Sequence, residues 1–242
     1  RSVTGGVTQI NLLVGQIIAS LQENAISVLN FADRINQLPL GVIGVAVGVV
    51  LLPELSRSLK AGNFADARHL QNRSLEFALV LTVPAAIGMV VLPGPIVSLL
   101  YERGSFSAAD TAMTAAALAA FATGLPAYVL QKVFQPGFFA REDMRTPMWF
   151  SMISVAANIA LSLAMFPFLG HVAIALATSI SAWVNVVLLA MTLWRRSHFR
   201  PSSVTVRRCT MILLSSAGMG VVAWWLGHAL IEPAMGEGLV RK

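Results

Sequence analysis

The sequence is poor in charged residues and in cysteine. Only 12% of its 242 residues are Asp, Glu, Lys or Arg, against about 25% in soluble domains, while 56% are hydrophobic. A water-soluble globule of this size would lack the charge to cover its surface, and the mean hydropathy of +0.73 agrees. The one cysteine, Cys209, excludes an internal disulfide framework. These shortages exclude ordinary cytosolic enzymes, disulfide-stapled domains and disordered chains, and they predict an all-α polytopic membrane protein.

Signatures of catalysis and of metal binding are also missing. The sequence contains no phosphate-binding loop and no zinc-protease, serine-hydrolase or dinucleotide-binding motif. Its four histidines are widely separated and form no ligand pattern. We therefore predict that the protein is not an enzyme and that it has no catalytic residues, no cofactor and no metal site. Any transport must draw on an ion gradient, the membrane potential or the gradient of the substrate itself.

Seven apolar runs are long enough to cross the hydrocarbon layer, which takes about 20 residues. They are bounded by charge, proline or glycine and are called spans A to G here. They lie near 7–29, 39–57, 76–99, 110–132, 147–168, 171–194 and 208–231. Pro84, Pro93 and Pro95 in span C and Pro126 in span D predict breaks or kinks in those helices. The polar stretch 58–75 between spans B and C fits either an interfacial helix or a solvated loop.

Positive charge alternates between the connections. Twelve of the 17 Lys and Arg residues lie in the B–C, D–E and F–G links, and four lie in the other links and the C-terminal tail. Because Lys and Arg are retained on the cytoplasmic side, span A should run from inside to outside. The Lys and Arg residues occur in short clusters between apolar runs, as the orientation of membrane helices requires. The net charge of +6 therefore does not indicate a nucleic-acid partner.

Span A carries a polar stripe. At 100° per residue, six polar side chains project within one narrow sector of the helix. These are Gln9, Gln16, Ser20, Glu23, Ser27 and Asn30. In lipid such groups are costly unless they face protein or water, so the stripe lines either a cavity or a hydrogen-bonded helix seam. The ionisable Glu23 favours the cavity.

Three more charged residues have two possible roles. Asp33 and Arg34 are adjacent between spans A and B, where they can snorkel to the lipid headgroups, or Arg34 can face the cavity and hold a phosphate through two hydrogen bonds. Lys132 at the end of span D can likewise snorkel or turn toward the cavity. The candidate substrate-binding residues are Arg34, Asp33, Glu23, Gln16, Gln9 and Lys132.

Small polar residues also face each other across spans E and F. Asn158 and Ser162 are one turn apart in span E, and Thr178 in span F can face them. They could bind a small cation, but a hydrogen-bonded seam between the helices is the favoured interpretation.

Several long stretches resemble one family. Phe-Ala-Asp-Arg-Ile-Asn-Gln-Leu-Pro at 31–39, followed by 41–46 and 51–56, is similar to the MurJ (MviN) lipid II flippases of bacteria. So is Pro-Gly-Phe-Phe-Ala-Arg-Glu-Asp at 136–143, with Thr146 and Pro147. The resemblance implies the fold of the multidrug/oligosaccharidyl-lipid/polysaccharide exporter superfamily, which has fourteen helices in two six-helix lobes and a final pair.

On that resemblance, residues 1–200 are expected to form the second, six-helix lobe, and 201–242 an additional transmembrane helix with an outer-side tail. The expected partners are the missing N-terminal lobe, membrane lipids and lipid II, which is an undecaprenyl-pyrophosphate-linked disaccharide peptide. The resemblance further implies a location in the bacterial inner membrane and a cationic cavity between rocking lobes. It matches Asp33 and Arg34 to the family's functional Asp-Arg pair.

Some relatives hold sodium through carboxylates in the helices equivalent to spans A, E and F. Here spans E and F offer only Asn158, Ser162 and Thr178, so we predict no sodium site. The leading hypothesis is a lipid II flippase that works by alternating access. One alternative is an exporter of another lipid-linked oligosaccharide or of drugs, and the other is a membrane scaffold that transports nothing.

Overall fold

A computed structural model describes residues 25–104, 106–227 and 229, without the side chains of 45–49. This part of the chain is helical and contains no strand, which confirms the all-α fold. Its eight helices are α1 Ala25–Lys60, α2 Phe64–Val91, α3 Pro93–Tyr101, α4 Ala108–Ala122, α5 Leu125–Phe139, α6 Arg145–Leu169, α7 His171–Arg195 and α8 Ser203–Leu226.

Five segments of the described chain are long and apolar enough to cross a membrane. They are Phe64–Val91, Ala108–Phe139, Arg145–Leu169, His171–Arg195 and Ser203–Leu226. They correspond to predicted spans C to G, and the protein is therefore an integral membrane protein. Spans E and G bury little of their apolar surface within the chain, as expected for helices that face lipid or further helices.

The predicted boundary between spans A and B is wrong. Instead of a link at 30–38, α1 runs unbroken from Ala25 to Lys60 and contains both Pro39 and Pro53. A proline removes one hydrogen bond and bends a helix, but the flanking turns can hold the helix together when they are packed. Ala32 and Ile35 provide that packing, because both are buried on the side opposite the solvent-facing residues. The rest of span A, residues 7–24, lies outside the described residues.

The predicted proline breaks are confirmed at Pro93 and Pro126 but not at Pro84, which lies inside α2 without interrupting the helix. The helix of span C stops at Val91 and restarts as α3 at Pro93, and that of span D is interrupted at 123–124 before α5, which has Pro126 in its first turn. The stretch 58–75 is not one separate element, since it contains the end of α1, a short turn and the start of α2. The chain turns at 61–63, where the Asn63 side chain accepts a hydrogen bond from the Asp66 N–H at 3.1 Å, and the remainder is the start of α2.

The three arginine-rich connections lie together at one end of the bundle, called the basic end here. Arg196 after α7 pairs with Asp143 between α5 and α6 at 2.6 Å. Asn72 near the start of α2 donates to the carbonyl oxygen of Arg200 before α8 at 3.4 Å. Because successive long helices run in opposite directions, the early part of α1 and the end of α3 lie at the other end. There the rings of Phe31 and Tyr101 are 4.8 Å apart.

The buried core consists of two main clusters, and α1 contributes to both. The cluster nearer the basic end includes Leu55 of α1, Phe138 of α5 and Leu193 of α7. The other includes Ala32 of α1 and Leu118 of α4. One face of α1 is thus packed against the core along its length, and the opposite face of the helix points away from the core.

Candidate substrate-binding face

The open side of α1 is polar at its outer end. Ser27, Asn30, Arg34, Gln37 and Gly41 are spaced by three or four residues, so they share one helix face, and all five are exposed. We call these five residues the polar face of α1. Ser27 and Asn30 belong to the predicted stripe on span A, but the structure places them on the same helix face as Arg34 and Gln37. The assumed break near residue 30 had hidden this continuity.

Arg34 lies in the middle of the polar face, and its guanidinium has no partner there. It makes no hydrogen bond or ion pair with any residue in the described part of the chain. A guanidinium carries five N–H donors in a planar fork, which matches two oxygens of a phosphate. This exposed position is compatible with both predicted roles of Arg34, snorkelling to the lipid headgroups and holding a phosphate in a cavity.

Asp33 does not pair with its neighbour Arg34. Adjacent residues of a helix point about 100° apart. The carboxylate of Asp33 instead accepts a hydrogen bond from Gln37 one turn later. The Asp33 carboxylate is therefore bonded within α1, and the Arg34 guanidinium has no partner among the described residues.

Lys132 is exposed on α5, and its stem lies over α1. A Cβ placed on Gly44 would be 3.8 Å from Cγ of Lys132, so the lysine crosses the helix at a glycine. Gly44 is ten residues beyond Arg34, or about 15 Å along the helix axis. The structure therefore does not bring Lys132 and Arg34 together as two arms of one phosphate clamp. The other candidates, Glu23, Gln16 and Gln9, lie outside the described residues and stay predictions.

Spans E and F are joined by a hydrogen-bonded seam. The side-chain amide of Asn158 donates to Oγ1 of Thr178 at 3.1 Å and to Oγ of Ser181 at 3.3 Å. Among the described residues, no three His, Cys, Asp or Glu side chains are grouped so that they could hold a metal ion. The hydrogen bonds support the seam interpretation for Asn158 and Thr178, whereas the buried hydroxyl of Ser162 has no partner in the described part of the chain.

A polar pocket of about 230 Å³ lies between α5, α6 and α7. Its lining residues are Tyr128, Gln131, Ser151, Ser154, Val155, Thr178, Ser181, Ala182 and Asn185. Tyr128 and Gln131 of α5, the helix that carries Lys132, both line the pocket. Sequence reasoning missed it. The available signal was the helical spacing of Thr178, Ser181 and Asn185, which places all three on one side of α7.

The family-like stretch at 136–143 forms a structural corner at the basic end. Gly137 packs so closely that an added Cβ would lie 2.7 Å from Nε2 of Gln71. Burial opposes ionisation of Asp143, but hydrogen bonds from Thr146 and Arg196 outweigh it and hold the pKa of that carboxyl at about 2. Burial, reinforced by nearby arginine charges, lowers the pKa of His198. This corner fastens the connections at the basic end.

Comparison with known proteins agrees with this architecture. The sequence matches the family model described as lipid II flippase MurJ over residues 2–236. A probable lipid II flippase MurJ of Rhizobium tropici is 53% identical, and the match covers 98% of this chain and 44% of that protein. A probable lipid II flippase MurJ of Rickettsia prowazekii is 37% identical, with coverages of 100% and 48%.

Solved structures give the same result. The inward closed conformation of a lipid II flippase MurJ matches with a TM-score of 0.78 and 31% identity, over 89% of this chain and 44% of that chain. An outward-facing multidrug resistance transporter of the MATE family matches with a TM-score of 0.68, but at 18% identity it shows only a common fold. The chain spans less than half the length of these curated relatives. Because the family model covers nearly all of its residues, the chain belongs to the lipid II flippase MurJ family.

Proposed function

We propose that this chain is the second lobe, with one further helix, of a lipid II flippase. The flippase would move the lipid-linked peptidoglycan precursor from the inner to the outer leaflet of the bacterial inner membrane by alternating access. The observation that carries the proposal is Arg34, an exposed arginine without a partner in the described chain, on the polar face of a helix from this family. Lipid II offers the pyrophosphate that such a side chain binds best.

The chemistry of the substrate fits the two kinds of surface on this chain. A pyrophosphate headgroup cannot cross hydrocarbon without losing its hydration, whereas the isoprenoid tail loses nothing by staying in lipid. The polar face of α1 would replace part of the water around the headgroup, and each hydrogen bond from Arg34 to a phosphate oxygen would contribute about 1.5–3 kcal/mol. The apolar outer surfaces of α6 and α8 would remain in contact with lipid tails.

A complete cavity needs a second wall. The chain covers about 44% of the relatives, so we propose that an N-terminal lobe of the same protein supplies the facing helices. The division at residue 200 is part of this proposal. It falls in the connection before α8, and α8 attaches to the lobe through Arg208 and Glu76, whose Nη1 and Oε2 atoms are 2.9 Å apart. We propose a transporter without an enzymatic step of its own.

Complementation by the full-length parent gene tests the proposal. Bacteria depleted of their own flippase would receive the wild-type gene or its Arg34→Glu variant, and lipid II exposed on the outer leaflet would be measured. Wild type should restore exposure and Arg34→Glu should abolish it, because a carboxylate repels the pyrophosphate. Arg103→Glu is the matched control. This arginine is also exposed but donates to the carbonyl oxygen of Leu99, so its reversal should leave exposure intact.

Two outcomes would contradict the proposal in different ways. Wild-type protein present at normal levels without restored exposure would indicate another lipid-linked substrate. Full exposure with Arg34→Glu would leave the flippase assignment standing and remove Arg34 from the binding site. Arg34→Lys separates charge from geometry, since lysine keeps the charge but loses the planar fork, and it should retain only part of the activity.

A further inference from the structure

The two main core clusters meet at one level of the bundle. Four parts of the described chain contribute to both clusters, and in each the change from one cluster to the other takes only a few residues. The change lies within 35–43 of α1, 78–86 of α2, 125–127 of span D and 175–182 of α7. The side chain of Leu40 packs against both clusters. We call the level defined by these four segments the middle level.

Three of the four segments contain a proline. Pro39 lies in the segment of α1, Pro84 in that of α2 and Pro126 in that of span D. A proline within a helix has no N–H for the carbonyl oxygen four residues earlier, so the helix bends more easily there. In span D the weakness extends to an interruption at 123–124, directly before α5. The middle level therefore coincides with a weak point in each of these three segments.

Helix α7 crosses the middle level without a proline, but its hydroxyl side chains weaken it there. The hydroxyl of Thr178 donates to the carbonyl oxygen of Ile174 at 2.6 Å, and the hydroxyl of Ser181 donates to that of Thr178 at 2.9 Å. Such bonds to the preceding turn compete with the backbone ladder and bend helices. Thr82 on α2 makes the same kind of bond to the carbonyl oxygen of Ala78 at 2.7 Å. All four segments thus have a bending point at the same level.

The interruption in span D is held by side chains of α7. The indole N–H of Trp183 donates to the carbonyl oxygen of Thr123 at 2.9 Å, and the hydroxyl of Ser179 donates to that of Ala120 at 2.8 Å. Backbone oxygens released by the interruption therefore have partners, as a broken helix within a membrane requires. Close-packed apolar side chains resist deformation, whereas individual hydrogen bonds can lengthen and re-form. The lobe should thus yield at the middle level before it yields within either core cluster.

We propose that this lobe bends at the middle level, so that its outer half tilts against the half at the basic end. The movement lies within one lobe and goes beyond the proposed function, in which two lobes move against each other. The part of α1 from Ala25 to Pro39 is about 21 Å long, so a tilt of 10° moves its end by about 4 Å. Arg34 lies in this part, and the tilt changes the direction in which its guanidinium points.

Distances between spin labels in the purified full-length protein, without substrate, test the bending. Labels at Ala109 on α4 and Lys60 on α1 lie on opposite sides of the middle level, whereas labels at Lys60 and Arg195 both lie at the basic end, and all three positions are exposed. The first pair should give a distance distribution broader by about 4 Å than the second. Rocking of whole lobes changes neither distance.

The double variant Pro39→Ala/Pro84→Ala restores two helix hydrogen bonds at the middle level. It should narrow the distribution of the first pair and leave the second pair unchanged, and Pro84→Ala alone serves if the double variant does not fold. Equal widths for the two pairs in the wild type, or no narrowing in the variant, would overturn the bending.

Rates and affinities show whether transport uses the bending. Pro84→Ala, on a different helix from Arg34, should slow lipid II flipping about fivefold, because bending must then break one more hydrogen bond, and should leave the affinity for lipid II unchanged. Pro167→Ala is the matched control, since Pro167 also lies inside a helix but near the end of α6, and it should change neither quantity. An unchanged rate, equal slowing by both variants or weaker binding with Pro84→Ala would contradict the proposal. Wild-type protein that does not move lipid II would overturn the proposed function alone, because the label distances decide the bending without substrate.

Discussion

Replacing Gly124 by alanine should destabilise the lobe by a purely steric effect. Gly124 precedes α5 in ordinary right-handed helical backbone, with φ −88° and ψ −15°, so alanine adds no backbone strain there. Its Cβ would lie 2.6 Å from Oγ of Ser179 and 2.9 Å from Cα of the same residue. Because Cα belongs to the backbone of α7, rotating the serine side chain cannot relieve the contact. Helix α7 must therefore move away from the α4–α5 junction.

The size of the effect follows from three contributions. Overpacking a tight contact costs about 1–3 kcal/mol. The displaced serine would weaken its 2.8 Å hydrogen bond to the carbonyl oxygen of Ala120, which contributes about 1 kcal/mol. Alanine also reduces the freedom of the unfolded chain, which returns about 0.4–1 kcal/mol. The expected net loss is about 2 kcal/mol of unfolding free energy.

Thermal unfolding of the full-length protein in detergent is the assay. Gly88→Ala is the matched control, because Gly88 is also helical but an added Cβ there meets nothing within 4 Å. The control should unfold at the wild-type temperature or slightly above it, since alanine favours helix by up to about 1 kcal/mol. Gly124→Ala should unfold several degrees lower. The reasoning fails if Gly124→Ala is as stable as Gly88→Ala.

Three further predictions concern the ends of the helices. The pKa of Asp143 is about 2, below its ordinary value of 3.8. The ionised carboxylate therefore stabilises the fold fully above about pH 4, and this stabilisation is lost as the pH falls through 2. Asp143→Asn should remove that pH dependence in urea unfolding. It should also lower the free energy of unfolding by only about 1 kcal/mol at neutral pH, because the partner Arg196 is 43% exposed and water screens the ion pair. Glu76→Gln should cost less than about 1 kcal/mol, since Arg208 is 61% exposed, and proteolysis should show earlier release of α8. Ser107→Ala removes the side-chain cap of α4 and should lower the unfolding free energy by about 1 kcal/mol in the same unfolding assay.

The membrane helices could be predicted from the sequence because lipid imposes a simple requirement on length and polarity. Five spans and the breaks before Pro93 and Pro126 follow from apolar run length and from the missing N–H of proline. The course of α1 does not follow from these rules. Asp33, Arg34 and Pro39 are typical of a loop, and only the tertiary packing of their apolar neighbours keeps the segment helical.

The candidate site was only partly predictable for a related reason. Arg34 could be chosen from the sequence as a candidate binding residue because a charged side chain beside a membrane span is costly in lipid. The structure leaves it exposed on the polar face of α1. The pocket could not be selected, since Tyr128, Ser154 and Asn185 are about 30 residues apart along the chain and meet only when three helices pack. The position of Lys132 could not be predicted for the same reason, because its side chain lies against Gly44 of α1 only once α1 and α5 pack.

The unbroken course of α1 has a mechanical consequence for the proposed flippase. Its 36 residues measure about 54 Å, well beyond the roughly 30 Å of hydrocarbon that a bilayer presents. If such a rod tilts by 10° about one end, the other end travels about 9 Å. Arg34 lies toward one end of this rod and Arg57 toward the other, so in the proposed flippase a ligand that pulls on the first side chain would shift the surface around the second. Pro39 and Pro53 are the joints at which the rod can bend, and stiffening them with alanine would change how far that displacement reaches.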